Sequence, residues 1–238
     1  MGDASKTITP IWERLSDCDT IEYLVNAMRR HDPALLEHGI RTASYSRVLG
    51  RLENLTNNDL EDLYHAALLH DIGKMSLPNG VILQNGISII GDYLMTECTP
   101  RAGADMLRPW PELQNVATLI ALHHERWDGM GFPFGLRGRQ IPMGARILSL
   151  ADTVDQLLTQ KSDSLSAQAT AVVRILRTLS RSRFDPKLVN LFIEWFQDVF
   201  LETLVNYPWR EDGLVLKSDS TSTVDNIFES AKLIHGIM

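Results

Sequence analysis

Histidine and aspartate side chains occur along this chain at places where they could share divalent metal ions. The candidate ligands are His38, His70, Asp71, His123, His124 and Asp152. Neutral imidazoles and carboxylates are the groups that iron, manganese and zinc accept in proteins. An aspartate can also bridge two cations, and cations held in this way activate a water for attack near neutral pH. The residue types therefore favour a hydrolytic metal centre.

Taken one at a time, the same residue types have a simpler interpretation. A single histidine on an apolar helix is more often a hydrogen-bonded core residue than a ligand, and we assign His31, His65 and His235 to that class. An isolated "HD" pair is a weak signal. The "HHE" run is stronger, because adjacent imidazoles point about 100° apart on a helix and need different partners. The combination, in this order along the chain, is what indicates a metal site.

Composition and charge limit the class of protein. The 238 residues are 44% hydrophobic and 22% charged, which is ordinary for a globular protein with a substantial core. The formal net charge of -7 argues against a protein that coats a nucleic-acid polymer. The sequence contains no apolar run of about 18 residues and no secretory signal at the N-terminus. Two cysteines make no disulfide framework, so we expect a cytoplasmic protein without a membrane span.

The elements that must position the candidate ligands are helices. Apolar residues at spacings of three and four predict helices at 21–32, 35–55, 57–73, 91–107, 111–127, 143–160, 165–180 and 185–205. Asn58 or Asp59 is the predicted N-cap of the third helix, and Gly73 is its predicted end. Residues 75–86 and 128–142 are rich in turn residues and predict irregular segments. Because no strand series or internal repeat is evident, the prediction is an all-α protein with one main domain.

Five segments, in their order along the chain, resemble the HD-GYP domains, a branch of the HD phosphohydrolase superfamily. They are "EHGIRTASYSRVLG", "LYHAALLHDIGKMSLP", "HHERWDGMGFPFGLRGRQIP", "ARILSLADTVDQLLT" and "RFDPKLV". The resemblance runs from about residue 30 to about residue 195. The name-giving Gly-Tyr-Pro stands here as Gly131-Phe132-Pro133, which keeps the aromatic ring and loses its hydroxyl.

The resemblance implies a fold, a cofactor and an activity. The fold would be a single HD-type helical bundle at 30–203, between an N-terminal helical extension at 1–29 and a variable tail at 204–238. The site would hold two divalent metal ions, iron or manganese first, with zinc, nickel or magnesium as alternatives. The activity would be hydrolysis of a cyclic dinucleotide, usually cyclic di-GMP, in bacterial second-messenger signalling. GGDEF-type cyclases or other signalling proteins are the implied protein partners.

Residue roles follow from the same resemblance. All six candidate ligands named above correspond to metal ligands of the family, and Asp71 would bridge two ions. Asp71 and Lys74 would be the catalytic residues. Lys74, Arg101 and Lys161 are the candidates for contact with the substrate.

The sequence also departs from the family pattern at positions that concern the site. Thr99 stands where the family has a histidine ligand, which weakens the second metal position. Ala34 stands where members with three metals carry a glutamate, and Glu37 lies on another helical face, so we do not expect a third metal. Where the family usually carries Lys-Pro-Gly, this chain has Gln84-Asn85-Gly86. The segment around Lys161 lacks the Arg-Pro-Tyr that the family often shows there.

Two other functions therefore stay open beside the phosphodiesterase. One is a catalytically degenerate domain that senses a nucleotide or docks a protein, as the substitution at Thr99 suggests. The other is an HD phosphohydrolase acting on a different nucleotide, which the altered substrate segments allow. We favour the phosphodiesterase, because the primary ligand set of the superfamily is complete.

Overall fold

The computed structural model describes residues 17–76, 98–160 and 164–206. Its α-helices are α1 (Asp17–His31), α2 (Pro33–Leu52), α3 (Asn57–Leu69), α4 (Thr99–Leu107), α5 (Gln114–Leu122), α6 (Met143–Leu158), α7 (Leu165–Leu179) and α8 (Pro186–Asn206). Short 3₁₀ helices lie at Ile72–Ser76, Pro111–Leu113 and Gly138–Gln140. Within these ranges there is no β-strand, only an isolated bridge between Ser180 and Phe184. The prediction of an all-α fold is confirmed.

Side-chain caps fix where two of the site-bearing helices begin. The Asp32 carboxylate accepts the N–H of Ala34 over 2.9 Å at the start of α2. At the start of α3, the Thr56 hydroxyl oxygen accepts the N–H of Asp59 and donates its proton to the Asp59 carboxylate. The prediction of Asn58 or Asp59 as the cap of α3 is therefore wrong. Thr56 is in extended backbone, from which its short side chain can reach the first turn.

The chain after α3 does not end in the predicted glycine cap. Helix α3 stops one residue before His70, and the backbone continues into the 3₁₀ helix Ile72–Ser76, which contains Gly73. The prediction that Gly73 ends the helix is wrong, and its physical role is close packing. A Cβ atom at Gly73 would lie 2.0 Å from the Thr99 carbonyl oxygen and 2.6 Å from the Gly103 nitrogen. Gly73 therefore allows the turn after α3 to lie directly against α4.

The packing of the helices brings distant parts of the chain together. Helix α2 packs along both α3 and α6, and α4 packs against α5 and the 3₁₀ helix after α3. Buried side chains such as Tyr45, Ile120 and Phe192 belong to the apolar core between these helices. Helices α2, α3 and α6 thus form one neighbourhood although they are far apart in sequence.

Two further predictions concern segments outside regular helices. Residues 128–142 are irregular as predicted, with turns, bends and the short 3₁₀ helix Gly138–Gln140. Most of the predicted loop at 75–86 lies outside the described residues, and the domain boundaries at 30 and 203 stay predictions.

None of the described helices is both long and apolar enough to span a membrane.

Candidate metal centre

Four of the predicted ligands converge where α2, α6 and the end of α3 meet. We call His38, His70, Asp71 and Asp152 the primary cluster. The Nε2 atom of His38 lies 3.2 Å from Nε2 of His70 and 3.1 Å from Oδ1 of Asp152. The Asp71 Oδ2 atom lies 3.8 Å from Nε2 of His38 and 3.5 Å from Nε2 of His70. Two imidazoles and two carboxylates therefore point at a common space.

Neighbouring groups orient both imidazoles of the primary cluster. His70 Nδ1 lies 2.7 Å from the carbonyl oxygen of Ala67, which can only accept, so Nδ1 carries the proton. His38 Nδ1 lies 2.7 Å from Oδ2 of Asp155, a carboxylate that also accepts two hydrogen bonds from the Arg41 guanidinium. With protons on Nδ1, each Nε2 atom is the one that faces the cluster. This is the usual arrangement behind metal-binding histidines.

Asp155 and Arg41 are site residues that the sequence analysis did not identify. Their spacing could have identified them as neighbours of the ligands. Asp155 follows Asp152 by three residues, and Arg41 follows His38 by three. Residues three apart on a helix share a face. Gln156 also contributes, since its side-chain amide donates to Oδ1 of Asp152 over 2.8 Å.

The carboxylates give the primary cluster a strong negative field. Burial lowers the pKa of His38, but its hydrogen bonds to Asp152 and Asp155 outweigh burial and raise that pKa to about 9. Burial raises the pKa of Asp71, yet the neighbouring His70 and Lys74 hold it below its ordinary value. Burial raises the pKa of Asp152 as well, but the His38 hydrogen bond and the charges of the neighbouring histidines together lower it. The cluster is thus suited to hold positive charge.

Lys74 lies at the edge of the primary cluster. Its ammonium nitrogen is 2.6 Å from Oδ2 of Asp71, and 29% of its side chain is exposed. Because Lys74 follows in the 3₁₀ helix after α3, the same short turn supplies two ligand candidates and a cation. An anion approaching from solvent can reach this cation.

The other two predicted ligands form what we call the histidine pair, His123 and His124, at the end of α5. Their ring centroids are 4.0 Å apart, and the His123 ring lies 5.4 Å from that of His70. His123 Nδ1 donates to the Ile120 carbonyl oxygen over 2.6 Å, which leaves Nε2 available. Burial lowers the pKa of His124 to about 4 and that of His123 well below its usual value. Both rings are therefore neutral at neutral pH, as metal ligands must be.

The residues present fit a divalent cation. Two Nε2 lone pairs only 3.2 Å apart repel one another unless a proton or a metal ion lies between them. Imidazole and carboxylate are the donor set that first-row divalent metals accept. His38, His70 and Asp71 offer ligand atoms that all lie within 4.8 Å of one another.

The remaining predicted positions lie around the centre or outside the described residues. Thr99 is buried in the first turn of α4, and its carbonyl lies next to the turn after α3, as described above. Arg101 follows in the same turn and is exposed. Ala34 and Glu37 are both exposed on α2, and the number of metal ions stays a prediction. Lys161 lies outside the described residues.

One of the three histidines assigned to the core lies at the surface. His31 is exposed at the end of α1, so its assignment to the core is wrong. It is the last residue of the helix, three positions after the buried Met28. His65 is half-buried, and burial lowers its pKa. His235 lies outside the described residues.

A glycine-rich segment is fixed over the end of α5 by a buried carboxylate. Glu125 is 2% exposed and accepts the backbone N–H groups of Phe134 and Leu136 over 2.6 and 2.9 Å. A Cβ atom at Gly131 would lie 2.3 Å from the Arg126 nitrogen, so only glycine fits there. The glutamate after the histidine pair is therefore a structural anchor for this segment.

Comparison with known protein families and sequences agrees with this geometry. The model of the HD domain family matches residues 22–188. A probable cyclic di-GMP phosphodiesterase of Vibrio cholerae is 29% identical over 85% of this chain and 49% of its own length. A 3'3'-cGAMP-specific phosphodiesterase 2 of the same organism is 30% identical over 78% of this chain and 36% of its own length. The chain thus spans half or less of the length of these two relatives.

The fold also resembles that of solved structures. An HDG"Y"P protein from Bdellovibrio bacteriovorus superposes with a TM-score of 0.57 at 22% sequence identity. The match covers 68% of this chain and 52% of that chain. At this identity the likeness concerns the fold, and it supports the all-α bundle described above.

Proposed function

The chain belongs to the HD domain family, and from that premise and the geometry of its site we propose that it is a metal-dependent phosphodiesterase. The substrate proposed is a cyclic dinucleotide, with cyclic di-GMP first. The observation that carries the proposal is the convergence of His38 and His70 Nε2 atoms with the carboxylates of Asp71 and Asp152. The names of the related phosphodiesterases support the substrate class.

We assign the primary cluster to the first of two divalent cations, iron or manganese. Following the family resemblance, Asp71 is the residue that would hold both cations, and the histidine pair is assigned to the second cation. When bound, such cations polarise a water and neutralise the negative charge of the phosphodiester. Asp155 and Arg41 keep His38 in the orientation that this task requires.

The residues around the cluster also explain how an anionic substrate could bind. Asp71, Asp152 and Asp155 bring three negative charges, and Lys74, Arg41 and protonated His38 balance them in the metal-free centre. Divalent cations bound in place of the His38 proton would add the positive charge that attracts a phosphodiester. Lys74 is the cation on the open side, so we assign it to a non-bridging phosphate oxygen in the transition state.

One assay tests this proposal directly. Protein prepared without oxygen and supplied with Fe(II) or Mn(II) is incubated with cyclic di-GMP, and the products are separated by chromatography. We expect linear dinucleotide or mononucleotide from the wild-type chain and none from Asp71→Ala. Hydrolysis that is equal in the two proteins would assign the reaction to another site. Folded, metal-loaded protein without turnover of cyclic di-GMP or 3'3'-cGAMP would overturn the proposal.

Thr99 favours one alternative function, a module that binds a cyclic dinucleotide without hydrolysing it. A neutral hydroxyl is a poor replacement for an imidazole at a first-row metal. The same assay separates the alternatives, because a binding module would retain the nucleotide in equilibrium dialysis and release it unchanged.

A further inference from the structure

Arg183 lies in the turn between α7 and α8, and this turn is tied to the segment that follows the histidine pair. The N–H of Trp127 donates to the Arg183 carbonyl oxygen over 3.1 Å. The N–H of Asp128 donates to the Ser182 carbonyl oxygen over 2.9 Å. These two bonds hold the backbone of Arg183 beside the chain segment that begins at His124.

The Arg183 side chain carries a charge that nothing in the described part of the chain neutralises by direct contact. It is half-buried, and its guanidinium carbon lies 5.5 Å from the centre of the Phe184 ring. Within the described ranges it forms no ion pair and no side-chain hydrogen bond. Arg126, by contrast, is paired with Asp128 at 2.6 Å. A partly desolvated guanidinium without a counter-ion is unfavourable unless an anion binds there.

The two backbone bonds place Arg183 on the side of the metal centre where the histidine pair lies. Burial lowers the pKa of Arg183, while the charge of the Asp152 carboxylate opposes that change. Arg183 is therefore within electrostatic range of the carboxylates of the centre. Lys74 lies at Asp71, so the two cations flank the centre at different ligands.

Resting on the proposed function, we infer that Arg183 binds a phosphodiester group of the substrate from the side of the histidine pair. A guanidinium presents paired N–H donors in one plane, which matches two oxygens of a phosphate. A cyclic dinucleotide carries two phosphodiester groups, and one lysine cannot serve both. Arg183 acts in binding and orientation rather than in the chemical step, and it has no role in holding the cations.

The test compares Arg183→Gln with Arg181→Gln. Arg181 lies in the same turn, is exposed and has the same charge, so the control removes one positive charge without touching the site. Binding of a non-hydrolysable phosphorothioate analogue of cyclic di-GMP to manganese-loaded protein is measured by calorimetry. Kinetic constants, manganese content and thermal unfolding are measured on the same preparations. Arg183→Lys tests whether charge alone is sufficient.

We expect Arg183→Gln to weaken binding of the analogue by about ten- to a hundredfold, the range for a hydrogen bond to a charged group. KM should rise by a similar factor with a smaller change in kcat, and Arg183→Lys should recover part of the loss. Manganese content and the unfolding temperature should not fall. Equal binding by Arg183→Gln and Arg181→Gln would overturn the inference, as would a loss of manganese.

These outcomes keep the inference apart from the proposed function. If the wild-type chain binds the analogue but hydrolyses no cyclic dinucleotide, the phosphodiesterase fails while the Arg183 comparison still decides the inference. If the wild-type chain hydrolyses cyclic di-GMP and Arg183→Gln does so with unchanged KM, the inference alone fails. If the wild-type chain neither binds nor hydrolyses a cyclic dinucleotide, both fail.

Discussion

The primary cluster and the histidine pair are two sides of one centre, built with different chemistry. In the primary cluster, His38 and His70 face two ionised carboxylates, and Asp155 holds His38 in place. The histidine pair is neutral, with His123 buried and His124 half-buried, and Thr99 stands where the family resemblance places another imidazole. The negative charge and the hydrogen bonds that orient the ligands are therefore concentrated in the primary cluster. A cation should therefore bind more tightly at the primary cluster than at the histidine pair.

The largest effect is expected from removing Asp71, the carboxylate proposed to be shared by the two sides. Asp71→Ala should lose bound metal on both sides, and hydrolysis should fall by at least about a thousandfold, since several kcal/mol of charge stabilisation disappear. Metal content by mass spectrometry and turnover by chromatography check the result. Asp105→Ala, an exposed aspartate on α4, is the control. Metal retained at the wild-type level in Asp71→Ala would contradict a shared ligand.

A smaller effect is expected from weakening the support of the primary cluster alone. Asp155→Asn keeps the size of the side chain but removes the charge that faces His38 and Arg41. Loss of such a supporting carboxylate typically costs about ten- to a hundredfold in metal affinity. Calorimetric titration with Mn(II) measures the change, which should appear in the tighter binding step only. An unchanged tight step would show that Asp155 does not support the ligand.

The smallest effect is expected from adding a ligand to the weaker side. Thr99→His should tighten the weaker binding step by about tenfold, the low end for groups that support a metal site. The position is buried, so overpacking should lower the free energy of unfolding by about 1–3 kcal/mol. Thr99→Val is the control for loss of the hydroxyl. If the folded Thr99→His protein binds metal no better than Thr99→Val, the weakness of this side has another cause.

The centre was partly predictable because its ligands are marked by residue type and short spacing. His70, Asp71 and the histidine pair stand out as adjacent polar residues at the ends of apolar helices. Asp155, which orients His38, is harder to recognise from the sequence, because two aspartates three residues apart on a helix are common. Arg183 begins the segment "RFDPKLV" but was not recognised as a site residue, because its position depends on backbone bonds to a segment more than fifty residues away.

The fold class was predictable for a similar reason, and the helix ends were not. Apolar periodicity indicates helices over whole segments, whereas an end depends on a single contact. Thr56 caps α3 because of its extended backbone, and Gly73 serves packing against α4 rather than termination. The role of Gly73 is decided by a tertiary contact with α4, whereas the cap at Thr56 is a local contact with Asp59 that the sequence does contain.

The most direct test of the difference between the two sides is a calorimetric titration of metal-free protein with Mn(II) under anaerobic conditions. The account predicts one tight binding step, assigned to the primary cluster, and one clearly weaker step, assigned to the histidine pair. Asp155→Asn should shift the first step and Thr99→His the second. Two steps of equal affinity in the wild-type chain, or no binding at all by folded protein, would contradict the account.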